Sequence, residues 1–363
     1  MTRYLLAGGG TAGHVNPLLA VADRIKDREP DAVVLVLGTA QGLESRLVPA
    51  RGYELLVVDR LPFPRALSAS VARFPGRFRA IVHRVRELIT EHQIDVVVGF
   101  GGYVSAPAYL AARAEKVPMV IHEANAKPGM ANRLGSIMTG HVGVAFADTR
   151  LPRARLVGMP LRREIERLDR HATRRDAMAF FGLDPNRLTL LVTGGSQGAR
   201  QLNDTIYAAA ASILGTGWQI LHITGEKSEL PASELPGYVT VRYCDRMELA
   251  LSAADLVVSR AGAATVSELM GLGLPAVYVP LAIGNGEQRR NARSQVAVGG
   301  ALVVENSAFT PEWVSSQLVP LLLNRPRIAD MAARTSAVGT RDGADRTVDL
   351  IQDALRGIRK QGQ

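Results

Sequence analysis

Twice in this chain a short apolar run empties into a glycine loop and then into a one-sided helix, and this repeated device limits the fold more than any other feature. Tyr4–Ala7 leads into Gly8-Gly9-Gly10-Thr11-Ala12-Gly13-His14, and Leu188–Thr193 leads into Gly194-Gly195-Ser196-Gln197-Gly198-Ala199. Continuous apolar runs bounded by turn residues read as parallel strands buried on both faces, which need helical crossovers to rejoin their sheet. After the first loop, Val15, Leu18, Leu19, Ala22 and Ile25 recur at helical spacing. Further strands are expected near Val33–Leu37, Leu55–Val58, Asp95–Val98, Met119–Ile121 and Val142–Ala145. A second series is expected at Gln219–Thr224, Val239–Tyr243, Leu256–Ser259, Ala276–Val279 and Ala301–Val304. The 363 residues exceed one ordinary core, so the pattern predicts an α/β protein of two Rossmann-like parallel-sheet domains. The Pro- and Arg-containing stretch Arg150–Arg163 reads as the linker, and Gly182 after Phe180-Phe181 as a helix cap.

Composition narrows the function classes. The lone cysteine, Cys244, allows neither a disulfide framework nor a cysteine metal site, and fits a reducing, cytosolic setting. No apolar run reaches about 18 residues, so no membrane-spanning helix is expected, and the apolar start is too short for a signal peptide. The formal charge of +9 favours anionic partners: phosphates, nucleic acid or an anionic lipid surface. No helix-turn-helix, zinc-finger or RNA-binding signature accompanies that charge, which argues against a nucleic-acid partner.

Open α/β sheets bind ligands beyond the C-terminal ends of their strands, where glycines let backbone approach a diphosphate and helix N-termini offer free N–H groups. Four loops suit that position: Gly8–His14, Gly101-Gly102-Tyr103-Val104-Ser105, Gly194–Ala199 and Arg260–Thr265. Gly8, Gly10 and Gly13 also spell G-x-G-x-x-G, the mark of a dinucleotide oxidoreductase. That reading wants an acid closing the second strand, and Leu37-Gly38-Thr39 has none. Thr265-Val266-Ser267-Glu268 is either a capping box or a place where Glu268 meets ribose hydroxyls.

Taken together, these loops resemble the MurG family, the glycosyltransferases of peptidoglycan synthesis that add N-acetylglucosamine to lipid I. The resemblance rests on Gly-Gly-Thr-Ala-Gly-His-Val at 9–15, Gly-Gly-Tyr-Val-Ser at 101–105, Ile-His-Glu-Ala-Asn at 121–125, Gly-Gly-Ser-Gln-Gly-Ala-Arg at 194–200 and the 260–268 segment. It implies the GT-B fold, with two domains facing across a cleft: an acceptor domain over residues 1–160 and a UDP-sugar domain over 161–340. The final helix, about 341–358, would pack back on the first domain. It implies UDP-N-acetylglucosamine as donor, lipid I as acceptor, no cofactor and no metal, and other cell-wall synthesis proteins as partners. Carried over by position, Thr11, Ala12, Gly13 and Asn125 would touch the sugar side of the donor. Arg162 and Ser196 would hold its diphosphate. Cys244 would read uracil through its backbone. Ala263, Ala264, Thr265, Val266, Ser267 and Glu268 would line phosphates and ribose, and Gln288 would bind the transferred sugar. Gly9, Gly10, Gly101, Gly102, Tyr103 and Ser105 would form the acceptor diphosphate loops.

An inverting displacement needs a base for the acceptor 4-hydroxyl. His14, beside a helix N-terminus, is the first candidate and Glu123 the alternative. Lipid I is membrane-held, so the enzyme would dock peripherally on the cytoplasmic face of the cell membrane. Phe63, Arg65, Arg73, Phe74, Arg77, Phe78 and Arg79 form a basic and aromatic stretch suited to an anionic surface.

Overall fold

All twelve strands expected from the apolar runs form, within three residues of the expected bounds. The computed structural model describes residues 1–61, 69–195, 198–281 and 286–361. It divides into two compact units, Met1–Arg162 with Arg341–Gln363, and Arg163–Thr340.

The first unit holds β1 (Arg3–Gly8), β2 (Val33–Gly38), β3 (Glu54–Val57), β4 (Val96–Gly101), β5 (Met119–Glu123), β6 (His141–Val144) and β7 (Ala154–Leu156). They pair in parallel in the order β3-β2-β1-β4-β5-β6-β7. Strand periodicity sorts the side chains between two faces. Tyr4 and Leu6 of β1 pack with Val15, Leu18 and Ile25 of the helix Ala12–Arg28 and with Val348 and Ile351 of the last helix, Gly343–Gln361. Leu5 and Ala7 face the other way, onto Val85 and Leu88 of the helix Ala69–Glu91 and Ala108 and Tyr109 of the helix Ser105–Ala114. Each fully buried aliphatic side chain stabilises the fold by about 1.5–3 kcal/mol. The last helix also ties to the first through Arg28 and Asp349 (2.6 Å).

One strand forms that no apolar run led one to expect. β7 lies inside Arg150–Arg163 and pairs with β6 at the sheet edge. Its three residues, Ala154, Arg155 and Leu156, are all exposed, so no apolar pattern announces it; backbone pairing alone defines it.

The second unit holds β8 (Thr189–Thr193), β9 (Gln219–Ile223), β10 (Tyr238–Val241), β11 (Leu256–Ser259), β12 (Ala276–Tyr278) and β13 (Ala301–Val303), in the order β10-β9-β8-β11-β12-β13, again all parallel. Leu190, Val192, Ile220, Leu256 and Val258 share a core with Leu202 and Ile206 of the helix Arg200–Ala208. The helix Arg170–Phe181 starts on Asp169, whose carboxylate accepts from the His171 and Ala172 N–H groups, and ends at Gly182 (φ 67°), the expected cap.

Candidate functional site

In both sheets the strand order reverses beside the first strand of the unit, between β1 and β4 and between β8 and β11. The four glycine loops follow those four strands. Each pair therefore flanks a topological switch point, where open α/β sheets leave a crevice for ligands.

In the first unit the two loops touch through backbone. A Cβ on Gly102 would stand 2.6 Å from Gly9 O, and Gly102 has φ +86°, so only glycine suits this crossing. His14 lies in the first turn of its helix, half-buried. Its Nδ1 is 3.1 Å from Gly9 O and 3.3 Å from Thr11 Oγ1. A carbonyl only accepts, so Nδ1 carries the proton and donates to it, leaving the lone pair on Nε2. Nε2 lies against the second loop, since a Cβ on Gly101 would be 3.0 Å away. Tyr103 stands beside this pair under the Arg60 guanidinium, 5.7 Å above its ring.

Beneath the first loop lies a carboxylate that the sequence reading did not single out. Glu44, in the helix Glu44–Ala50, is fully buried. It accepts from Gly10 N–H (2.8 Å), Thr39 N–H (3.0 Å) and the Thr39 hydroxyl (2.8 Å). Burial by itself pushes this carboxyl up, but the bonds from Gly10, its own backbone N–H and Thr39 outweigh burial and hold it below the usual carboxylate range. The acid missing from the end of β2 is thus supplied from the next helix, and it points at the loop. A small cavity of about 50 Å³ remains here, lined by Gly9, Gly10, Thr39, Gln41, Gly42, Glu44, Arg60, Tyr103 and Val104.

Several expected roles change on this geometry. Gly10 N–H is occupied by Glu44, so it is not a free donor for a diphosphate. Ser105 is fully buried; its hydroxyl accepts from Gly101 N–H (3.0 Å) and reaches Ala7 O and Gly101 O, which fixes the loop from behind. Glu123, the alternative base, is 3% exposed. Its oxygens take the Asn125 N–H (2.9 Å), the Gly129 N–H (3.0 Å) and the Asn132 amide (2.9 Å). Three donors and no approach for a hydroxyl make it the brace of the loop carrying Asn125. Phe74 and Phe78 stack at 5.7 Å and are half-buried against the core; Arg73, Arg77 and Arg79 are exposed. Phe63, Arg65 and Ser196 lie outside the described residues. Arg162 is half-buried at the end of the 1–162 segment.

In the second unit the helix Ala263–Gly271 starts from Gly262, in extended conformation and with no side-chain cap. Thr265 and Glu268 therefore sit inside the helix, which excludes the capping box. Ala264, Thr265 and Glu268 are accessible, whereas Ala263, Val266 and Ser267 are buried and contribute at most backbone. Asn291, buried and overlooked in the sequence, donates to Ala261 O (3.2 Å) and ties the helix Glu287–Asn291 to this loop. On that helix Gln288 accepts from Leu281 N–H (2.9 Å), leaving its amide N–H groups to donate. The half-buried Arg260 donates to Val279 O (2.8 Å) and the Asn306 side chain (2.6 Å), and burial holds its pKa below the usual guanidinium value. Cys244 is half-buried past the edge strand β10, three strands from β11 and so about 14 Å across the sheet.

Behind the third loop a polar chain runs in one direction. Asn203 donates to Thr224 O (2.8 Å), which fixes its amide orientation, so its oxygen accepts from His222 Nε2–H (3.1 Å) and His222 Nδ1 accepts from the Tyr238 hydroxyl (2.7 Å). Burial lowers the His222 pKa to about 4, and the ring is neutral. A cavity of about 690 Å³ opens beside this loop, lined by Gly198, Ala199, Arg200, Asn203, Asp204, Thr224 and the segment 227–231, and by none of Cys244, Glu268 or Gln288.

Paired glycine loops at the switch points of two Rossmann-like units define a nucleotide-sugar-binding enzyme of the GT-B fold class. The chain belongs to glycosyltransferase family 28: residues 4–143 match the family's N-terminal domain and residues 189–347 its C-terminal domain. It is 61% identical over 98% of its length, and 99% of the relative's, to a protein of Leifsonia xyli named UDP-N-acetylglucosamine--N-acetylmuramyl-(pentapeptide) pyrophosphoryl-undecaprenol N-acetylglucosamine transferase. A protein of Clavibacter sepedonicus with the same name is 59% identical, covering 98% of this chain and 97% of that one. The crystal structure of Acinetobacter baumannii MurG superposes with a TM-score of 0.79 at 28% identity, covering 97% of this chain and 100% of that one.

Proposed function

We propose that this protein moves N-acetylglucosamine from UDP-N-acetylglucosamine to the 4-hydroxyl of the N-acetylmuramyl-pentapeptide of lipid I, giving lipid II. The observation that carries this reading is 61% identity, over 98% of the chain, to a relative named for that transfer. His14 Nε2 accepts the proton of the acceptor hydroxyl as its oxygen attacks the anomeric carbon from the face opposite the departing UDP, which inverts that centre. The hydrogen bond from Nδ1 to Gly9 O keeps Nε2 in the accepting state. Arg162, Ser196 and the N-terminus of the helix Ala263–Gly271 stabilise the charge that grows on the diphosphate. Glu268 accepts from the ribose hydroxyls, backbone near Cys244 reads uracil, and Gln288 with Asn125 and Thr11–Gly13 holds the sugar.

The protein works as a peripheral enzyme on the cytoplasmic face of the membrane. No helix among the described residues is long and apolar enough to cross a bilayer. The exposed Arg73, Arg77 and Arg79 meet anionic headgroups, each contributing about 1 kcal/mol.

The test offers UDP-N-acetylglucosamine with lipid I in anionic vesicles and, separately, with a water-soluble acceptor analogue. Disaccharide product and UDP are expected from both, and turnover of neither acceptor sinks the reading. A triple Arg73→Glu, Arg77→Glu, Arg79→Glu variant should lose only the vesicle reaction; equal losses on both acceptors would reject the docking surface.

A further inference from the structure

The Gly9–Gly10 peptide group is held at both ends. Its C=O accepts from His14 Nδ1–H at 3.1 Å, and its N–H donates to Glu44 Oε2 at 2.8 Å. We propose that Glu44 is a positioning residue for His14, acting through this single peptide group to fix the imidazole orientation and tautomer.

The local sequence is built around the carboxylate. A Cβ on Gly9 would lie 2.4 Å from Glu44 Oε1, one on Gly42 2.0 Å from Oε2, and one on Gly38 2.6 Å from Cγ. Three glycines on three sides thus make room for this one side chain. Among the described residues no Lys or Arg pairs with it, so its charge is answered by N–H and O–H dipoles from Gly10, Thr39 and its own backbone. A buried carboxylate without a cation carries a desolvation cost, and an apolar side chain could fill the same volume without it. Of the residues expected to meet the substrate, the carboxylate packs against Gly9 and hydrogen-bonds Gly10 N–H.

That N–H is the route by which the charge reaches the base. A negative charge at the N–H end of a peptide polarises the group and makes its oxygen a stronger acceptor, and linked hydrogen bonds strengthen one another by roughly 10–30%. The stronger Gly9 carbonyl holds the proton on His14 Nδ1 and stabilises the imidazolium formed when Nε2 takes the acceptor proton. Catalytic triads achieve this with a carboxylate directly on Nδ1; here one peptide unit stands between them. The Thr11 hydroxyl, 3.3 Å from the same nitrogen, can also bond there but carries no charge.

The inference rests on the reading of His14 as the base, and the experiment separates the two. Glu44→Gln keeps the size and an oxygen for Gly10 while removing the charge. In the full-length variant, ring nitrogen NMR shifts of His14 should show the Nδ1–H tautomer losing ground to Nε2–H. kcat should fall roughly 10–100-fold, the usual range for groups that orient a reactive ligand, with the donor KM within about twofold of wild type. Glu44→Asp keeps the charge but draws it back; it should fall between the two, and it serves where Glu44→Gln does not fold. Unchanged His14 nitrogen shifts in whichever variant folds overturn the proposal, as does a raised donor KM with kcat unchanged. If the shifts move but His14→Gln still turns over within a few fold of wild type, Glu44 positions His14 and the assignment of the base fails instead.

Discussion

The loops after β1 and β8 leave equivalent strands through similar glycine-rich sequences, yet what lies beneath them is opposite in character. Under Gly9-Gly10 sits the ionised Glu44, and counted from Gly9 the sixth position of the loop is His14. Under Gly198 sits an uncharged chain, Tyr238 to His222 to Asn203 to Thr224 O, and the sixth position is Ala199, 7% exposed. A glycine loop supplies a shape and a set of N–H groups. The residue that ends it, and the group that props it, decide whether it is suited to accept a proton or only to cradle an anion. This contrast fits the proposed function, in which the first loop serves the chemical step and the second holds the donor.

The contrast breaks most directly at the base. His14→Ala should lower kcat by roughly 10²–10⁴ with donor KM little changed. Steady-state kinetics with both substrates varied would show it, and activity within a few fold of wild type would leave His14 as a loop fastener. Next in size is the proposed ribose contact of the second unit. Glu268→Ala removes a charge-assisted hydrogen bond, which costs on the order of 1.5–3 kcal/mol and so roughly ten- to hundredfold in affinity. Calorimetric titration with UDP should report that loss, and unchanged affinity would remove Glu268 from the donor site.

Paired glycine substitutions sharpen the comparison further. Gly102→Ala and Gly198→Ala both place a Cβ against a carbonyl, 2.6 Å from Gly9 O and 2.4 Å from Thr224 O, at positive φ. Strain of about 1–3 kcal/mol is expected in each. The first should depress kcat and the second should raise donor KM; the same kinetic signature from both would dissolve the distinction. The smallest effect is on stability. Burial lowers His122 and His222, one in each unit, to about pKa 4 from 6.5. Between those values the unfolded chain binds protons that the folded chain refuses. Stability is therefore full above pH 6.5 and falls as pH drops toward 4, by about 1.4 kcal/mol per pH unit for each ring. Urea unfolding across that range should lose part of its acid slope in His122→Gln and in His222→Gln; a slope unchanged in both would trace it to other groups.

The fold was legible because parallel strands buried on both faces leave continuous apolar runs that need no partner to be recognised. β7 left no such trace, since an exposed edge strand is defined by its neighbour. The loops and His14 were legible because glycine patterns report backbone demands directly. Glu44 was not: a search for an acid at the end of β2 stops at Thr39, and the side chain arrives from five residues later by folding back. Of the two readings of Thr265–Glu268, the capping box fails because Gly262 starts the helix earlier without one. Along the same helix the rings of Phe74 and Phe78 are half-buried against the core while Arg73, Arg77 and Arg79 are exposed, a split that a basic, aromatic sequence does not reveal.

The helix Gly343–Gln361 covers Tyr4 and Leu6 of the first strand, but residues 163–340 of the other unit separate it from the rest of its own. On the ribosome, at about 5–20 residues per second, those intervening residues take on the order of 10–40 s to emerge. Throughout that interval the side of the first sheet that packs on the helix Ala12–Arg28 lacks the rest of its cover. The second unit, contiguous in sequence, can close as soon as it appears. Nascent chains stalled before residue 341 should therefore draw holdase chaperones to the first unit, and a gene rearranged to encode residues 341–361 ahead of Met1 should release them.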